Sequence, residues 1–469
     1  MYCMGRRRVG GVPPRLAQAA LALLAALAIA GLARAHQPYY VDDLGTLEGF
    51  NSHAYSINQG GSVVGSIIDG PSGPWAVRYI GQTPQGLGSL AGFSSSLACS
   101  INDQGLVAGK CSTLAQSRPA LYRQQAWLDL GSLGGTKGQA NDVSNSGIVV
   151  GTCRTGAGAS QHAFMVNPLD SDGDSQPDTW YRDANHDGRN DLMQDLGALG
   201  GSYSEAKGVN SAGRAVGWAT TASGTHAFVY AQGTMRDLGP MGGIASSASA
   251  ISDSGVIVGR VDIAQGQSTF SRAFRFRDLN DNLQVDAGEL CLLPVPVDGL
   301  YTASGVNDAG EVVGSGDWTG TKRAYLWSGS SGWDLNTLIS PTTSLTLAEA
   351  TGINNAGQIA ASGFCQADQR SHAYLLNPAR GGDATADRRV SIGDLGILAG
   401  NWGLSGRTWA QGDFTGDGVV NIADLGVLAG SWGWIGQPVG ATGAPVPEPA
   451  VLALLAIAAM VRPKVRRPA

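Results

Sequence analysis

The chain has 469 residues, a formal charge of −6 and only 14% charged residues, with 69 glycines and six cysteines. An acidic chain repels phosphate backbones, which excludes nucleic acid as a partner class. Glycine without a three-residue period excludes a collagen-like chain, and cysteines without CxxC or clustered His argue against a structural zinc module.

At the start, Arg6-Arg7-Arg8 precede an apolar run from Leu16 to Leu32 and then Ala33-Arg34-Ala35. That order is a secretory signal pattern, residues 1–35, with signal peptidase cleavage expected before His36; the competing reading is a membrane-spanning anchor. Losing Arg6, Arg7, Arg8, Arg15 and Arg34 removes five positive charges and takes −6 to −11.

From Ala54 to Ala361 one stretch recurs seven times, in the form AxxVNSAGRAVG at Ala206 to Gly217, with anchoring alanines spaced by 44, 42, 66, 42, 55 and 47 residues. Each copy reads as a β-hairpin. Asn and Asp open the turn, as at Asn102-Asp103 and Asn307-Asp308, and Gly105 or Gly310 accepts the positive φ that closes it. The returning strands, such as Val149-Val150 and Val312-Val313, are apolar on consecutive residues, so both faces are expected to be covered. Around each hairpin stand DLGxLGG, as at Asp129 to Gly135, and His162-Ala163-Phe164, with relatives at His226, Arg272, Arg323 and His372.

These elements resemble the HAF-repeat family of bacterial extracellular proteins over roughly residues 39–378, a resemblance that implies export but no known chemistry. A period near 42 residues with about four strands is also the measure of a propeller blade. The expected fold class is therefore mainly β: a seven-bladed β-propeller over residues 36–378, with an open β-solenoid as the rival. His162, His226 and His372 fall at one repeat position that Arg272 and Arg323 fill in sister units, which points to blade geometry before catalysis. No GxSxG, HExxH or phosphate-cradling loop is present. Glu205, Glu311 and Glu349 are candidates for a channel site, and nothing in the sequence selects among them. Cys111 and Cys153 occupy equivalent places in adjacent units, where a disulfide and two free thiols are both open readings.

Two units carry insertions. In the first, Asp170, Asp172, Asp174 and Asp178, and then Asp183, Asn185, Asp187 and Asp191, set hard oxygen ligands at a spacing that suits Ca²⁺; the alternative is a solvated acidic loop. The arrangement resembles thrombospondin type 3 calcium loops. The second, Asp278 to Glu289, has EF-loop spacing, but Leu283 stands where that loop wants Gly.

After Pro378 the repeat stops, and residues 379–435 hold two tandem segments thirty residues apart. Asp413, Thr415, Asp417, Asn421 and Asp424 occupy loop positions one, three, five, nine and twelve, with Gly418 at six and the Val419 carbonyl at seven. A short amphipathic helix follows each loop; Leu425, Leu428, Ala429 and Trp432 share one face, and Leu395, Leu398, Ala399 and Trp402 the other. The pair resembles a type I dockerin, a small α-helical module of two half-EF-hands. The resemblance implies a second Ca²⁺ set at Asp383, Thr385, Asp387, Arg389 (position seven), Ser391 and Asp394, and a cohesin-like partner. Arg388 replaces the turn Gly of the first loop, and Ile392-Gly393 and Ile422-Ala423 stand where dockerins select their cohesin. Those apolar pairs face a partner or lie buried in the module; both readings are open, as is a calcium-stabilised spacer without a partner.

A Gly/Pro-rich linker, 436–445, leads to Val446-Pro447-Glu448-Pro449, an apolar run from Ala450 to Val461 and a basic end, 446–469 in all. Twelve apolar residues fall short of the roughly twenty of an unassisted span. The order resembles the PEP-CTERM sorting signal, which implies that Pro447, Glu448 and Pro449 are read by an exosortase-type enzyme after transient membrane anchoring.

The reading as a whole is a secreted, surface-sorted, non-enzymatic structural or adhesive protein with calcium-stabilised modules, acting on extracellular polysaccharide or matrix. The alternative is a surface polysaccharide-active enzyme, a glycosidase or lyase, with its site in the propeller channel.

Overall fold

The structure, a computed structural model, describes residues 36–436 apart from 48, 69–72, 157, 159, 175, 318–319 and 340–343. The signal, the linker beyond 436 and the sorting tail lie outside the described residues. Among those described, no helix is long and apolar enough to cross a membrane.

The chain is mainly β, a propeller-like series of four-stranded antiparallel sheets. The first blade is built from Ser52–Ile57, Val63–Ile67, Trp75–Ile80 and Thr83–Gly86, and five further blades follow in chain order, the fifth and sixth bridged by one parallel pair, Ser271 with Leu300. The seventh takes Leu345–Ile353, Ile359–Cys365 and Arg370–Pro378 and borrows its outermost strand, Tyr39–Asp43, from the start of the chain. Its inner strand touches the inner strands of both the sixth and the first blades, so the two ends of the series meet.

Burial follows from the consecutive apolar pairs. Val63 and Val64 are 1% and 0% exposed, one packing toward the seventh blade with Ala373 and the other toward the second with Ala98. Every inner strand also carries a bulge just after its anchoring Ala, as between Ala54 and Ser56 or Ala206 and Gly208. The bulge was not foreseen from the sequence, whose motif marks it only as two unconstrained positions.

The Asn that opens five of the seven turns does more than start them. Asn102 Oδ1 accepts Leu106 N (2.9 Å) within its own turn, while Nδ2 donates to the Ser144 carbonyl of the next blade (2.9 Å). Asn58, Asn210, Asn307 and Asn354 repeat the reach, and Asn354 donates to Asn58 O across the seam (3.0 Å). One residue further on, a second set of bonds follows the same course: Gln59 N to Asp103 (2.8 Å), Asp308 N to Asn355 (2.9 Å) and Asn355 N to Gln59 (2.9 Å).

The DLG and HAF signatures form a matching outer staple. Ser204 donates to Gly197 O and accepts Ala163 N (2.8 Å) from the preceding blade; Ser52, Ser96 and Ser246 do likewise.

Asn354 is 1% exposed. Replacing it by Ala strands buried groups on both sides of the seam and is expected to cost about 2 kcal/mol, read as a fall in the urea midpoint. Asn354→Ser, the residue found at Ser144 and Ser252, is expected to cost about half as much because the local bond to the turn amide survives, as it does for Ser144 with Ile148 N (3.1 Å).

Candidate metal-binding loops and the central cavity

Helices α1 (Ile392–Gly400) and α2 (Ile422–Gly430) pack on each other, each capped by the loop that precedes it. Asp424 is the third residue of α2. Its Oδ2 accepts the Asn421 amide (2.8 Å), closing a capping box, while Oδ1 faces the loop and meets Thr415 N and Oγ1 (2.9 and 3.0 Å). Asp413 is wrapped by the amides of Gly416 (2.8 Å), Asp417 (3.2 Å) and Gly418 (2.8 Å). Oxygens of Asp413, Asp417 and Asp424 come within 4.8 Å of one another, and Asn421 Nδ2 holds the Val419 carbonyl (3.1 Å).

Asp413 and Asp424 are 1% and 0% exposed, as buried as Asp383 and Asp394 in the first loop, both at 0%. No Lys, Arg or His among the described residues forms a salt bridge with any of the four. Two buried carboxylates facing each other without a cation carry a large electrostatic cost, and an all-oxygen cage fits a hard divalent ion.

The first loop shares the Thr bridge of the second, but its Asp383, Asp387 and Asp394 are not drawn into one group as Asp413, Asp417 and Asp424 are. Thr385 Oγ1 bridges Asp383 (3.1 Å) and Asp394 (3.0 Å), and Asp387 accepts Arg389 N (2.9 Å) while Ser391 caps α1 through Gly393 N (3.2 Å). Asp383 also accepts the hydroxyl of Tyr40 (2.5 Å), a residue of the seventh blade's borrowed strand. Burial pushes the Asp383 carboxyl up, outweighing the Tyr40 hydrogen bond that pulls it down. Arg388, at φ +66°, reaches Asp42 (2.6 Å) and lies over the Tyr40 ring (5.0 Å). The apparent defect in the loop motif thus makes one of the contacts between the module and the propeller, beside Tyr40 with Asp383.

Two details differ from the sequence expectation. Trp402 is 43% exposed, whereas Trp432, at the equivalent place after α2, packs against the module's core. Ile392 and Ile422, in the first turns of α1 and α2, are 72% and 65% exposed, so the reading that buries them in the module is not met.

In the first insertion, Asp170, Asp172 and Asp178 bring oxygens within 4.8 Å, while Asp174 turns to Gln176 N (2.8 Å) and stays outside that group. Hydrogen bonds from Thr179 and Ser171 hold the Asp178 carboxyl below the usual carboxylate range. Asp183 accepts Asp187 N (3.0 Å) and Gly188 N (2.9 Å), the same wrapping as Asp413. Asn185 accepts Asp187 N (3.0 Å), and Asp191 accepts Ala184 N (2.8 Å). The insertion is pinned to the third blade by Trp180, which donates to Gly147 O (2.7 Å). In the second insertion Leu283 takes φ +57° and buries its side chain in the core between the fourth and fifth blades. Gly is unnecessary there because burial offsets the strain.

In five blades a His or Arg of the HAF strand pairs with the Asp of DLG or, at Asp334, of DLN: Arg118 with Asp129 (3.9 Å), His162 with Asp195 (2.9 Å), His226 with Asp237 (2.9 Å), Arg323 with Asp334 (3.1 Å) and His372 with Asp43 (2.8 Å); Arg272 of the fifth blade turns to Asp298 (2.5 Å). Either cation donates to the same carboxylate, which explains their interchange.

The central cavity is lined by Ser100, Asn141, Asp142, Lys207 and the Asn/Asp turns. Asp142 joins three blades, accepting Ser100 Oγ (2.5 Å), Val143 N (2.9 Å) and Val209 N (2.8 Å), and burial pushes its carboxyl up. Glu205 is held by Asn141 (3.0 Å), Trp218 (3.2 Å) and Lys207 (2.8 Å), Glu311 by Asn307 (2.9 Å), and Glu349 by Lys322 (2.5 Å). The three glutamates do not line this cavity. Cys99, Cys111, Cys153, Cys291 and Cys365 are all free thiols, so Cys111 and Cys153 are not bridged.

No family model matches the chain, and no curated protein matches it. Among solved structures it is similar to the β-propeller domain of the trilobed protease from Pyrococcus furiosus, at 11% identity over 58% of this chain and 79% of that one, TM-score 0.35. It is also similar to a puromycin hydrolase (12%, 68% and 53%, TM-score 0.43) and to a gluconolactonase from Xanthomonas campestris (11%, 74% and 92%, TM-score 0.35). These likenesses concern the fold alone.

Proposed function

We propose that the chain is a secreted, surface-sorted structural or adhesive binding protein, a seven-bladed propeller carrying a dockerin-like module, both stabilised by Ca²⁺. One observation carries the reading: Asp413 and Asp424, like Asp383 and Asp394, are buried carboxylates with no cationic side chain paired to them, whereas the half-buried Asp142 of the cavity wall is spent on Ser100, Val143 and Val209, tying three blades together. The ligand sets are Asp413, Thr415, Asp417, Val419 O, Asn421 and Asp424, and their counterparts from Asp383 to Asp394. The exposed Ile392 and Ile422 support a cohesin-like partner, since both stand on equivalent first turns where a partner can cover them. HAF-type repeats and the tail at Pro447-Glu448-Pro449 support export and exosortase-dependent sorting to the cell surface or extracellular polymer.

Calorimetric titration of the mature chain with Ca²⁺ tests this. Each filled site is expected to add about 2.7 kcal/mol of stability when free Ca²⁺ is 100-fold above Kd. Asp413→Ala and Asp417→Ala are each expected to remove one equivalent. Absence of heat and of any gain in thermal stability would remove the metal from the reading. Binding of the mature chain to a glycan array tests the adhesive role; turnover of a glycan in place of retention would select the enzyme.

A further inference from the structure

The seventh blade carries side chains that its sisters lack. In the third and fourth blades the imidazole of His162 or His226 meets one carboxylate, at Nδ1. His372 meets two, Asp43 at Nδ1 (2.8 Å) and Asp368 at Nε2 (2.9 Å). A thiol joins them: the ligand atoms of Asp43, Cys365 and His372 all lie within 4.8 Å of one another. Tyr374, 1% exposed, lies beside that thiol.

Strand pairing does not explain the set. Arg323 performs the pairing in the sixth blade with one carboxylate, as do His162 and His226, and a second half-exposed carboxylate adds little to an ion pair. Metal chemistry does explain it. A ligating histidine usually donates its other ring N–H to a carboxylate, which fixes the tautomer and aims the free nitrogen at the metal. Asp368 occupies that place behind His372.

We propose that Asp43, Cys365 and His372 form a site for a divalent cation of the zinc class, with Asp368 as the positioning residue. Sulfur, imidazole nitrogen and carboxylate oxygen are a borderline-soft set, unlike the all-oxygen loops, and three protein ligands leave a fourth position to water. Coordination requires Cys365 as thiolate and Nδ1 without its proton. Each ion taken up therefore releases one proton from Cys365 and one from His372 to solvent, while Nε2 keeps its proton toward Asp368. Because Asp43 and His372 stand 329 positions apart, the ion ties the first strand of the series to the last.

The test uses the mature chain with Ca²⁺ in excess, so that the oxygen loops are occupied, and titrates Co²⁺ by absorbance and Zn²⁺ by calorimetry. One equivalent is expected, with a thiolate-to-cobalt charge-transfer band that disappears in Cys365→Ser. His372→Arg is expected to abolish uptake while keeping the blade intact, since Arg272 and Arg323 fill the same repeat position. Asp368→Asn is expected to weaken binding about 10- to 100-fold. No band, or a band unchanged in Cys365→Ser, overturns the site. Should His372→Arg fail to fold by circular dichroism, Cys365→Ser decides alone, its side chain lying outside the core clusters.

Discussion

Gly217→Ala is expected to destabilise the propeller by about 3 kcal/mol or more, a large effect for a single added methyl. A Cβ at Gly217 would lie 1.9 Å from the Glu205 carbonyl oxygen and 2.9 Å from Ala206 Cα, both backbone atoms of the paired strand. No side chain can rotate away, so the strands would have to part, and the blade-to-blade bonds of Ser204 with them. Gly65, Gly151, Gly259 and Gly314 meet the same obstacle at 1.8 to 2.0 Å. The seventh blade supplies the control. There Ala361 takes the glycine's place opposite Ala350, and an extra register shift between Leu347 and Glu349 accompanies it. Ala361→Gly is accordingly expected to cost about 1 kcal/mol or less, the ordinary cost of glycine in a strand. Urea midpoints of both variants check the pair; equal losses would show that the strand contact is not what demands glycine.

Arg388→Gly is expected to loosen the loop–helix module from the propeller, although it restores the glycine that such loops ordinarily use. Two effects oppose each other. Relief of the left-handed backbone at φ +66° contributes about 1 kcal/mol. Against it, Asp42, 2% exposed, loses its guanidinium partner and keeps only Asn377 Nδ2 at 2.8 Å, and stranding a buried carboxylate costs about 3 kcal/mol. The net expectation is a loss of about 2 kcal/mol, seen in calorimetry as the module melting ahead of the propeller instead of with it. A variant that melts in one transition at a higher temperature would show that the Arg388–Asp42 contact does not hold the two parts together.

Local chemistry was the part legible in advance. The Asn or Ser that opens each turn, the Gly that closes it and the apolar pairs that follow act within a dozen residues, so their spacing is visible as text. The loop at Asp413 was equally open to reading, because its wrapping amides come from the next five residues. Leu283 and Arg388 looked like flaws in a motif, since what compensates them lies far along the chain, in an interblade core and in the strand at Tyr39–Asp43.

Repetition and spacing alone therefore established a chain of like sheets, two kinds of acidic loop and a candidate for each ligand. Only folding decided that Asn354 bonds to Asn58, that Tyr40 reaches Asp383, and that His372 stands between Asp43 and Asp368. Such contacts join residues hundreds of positions apart across a seam. No local period encodes them, because they exist only once the first strand has been laid against the last.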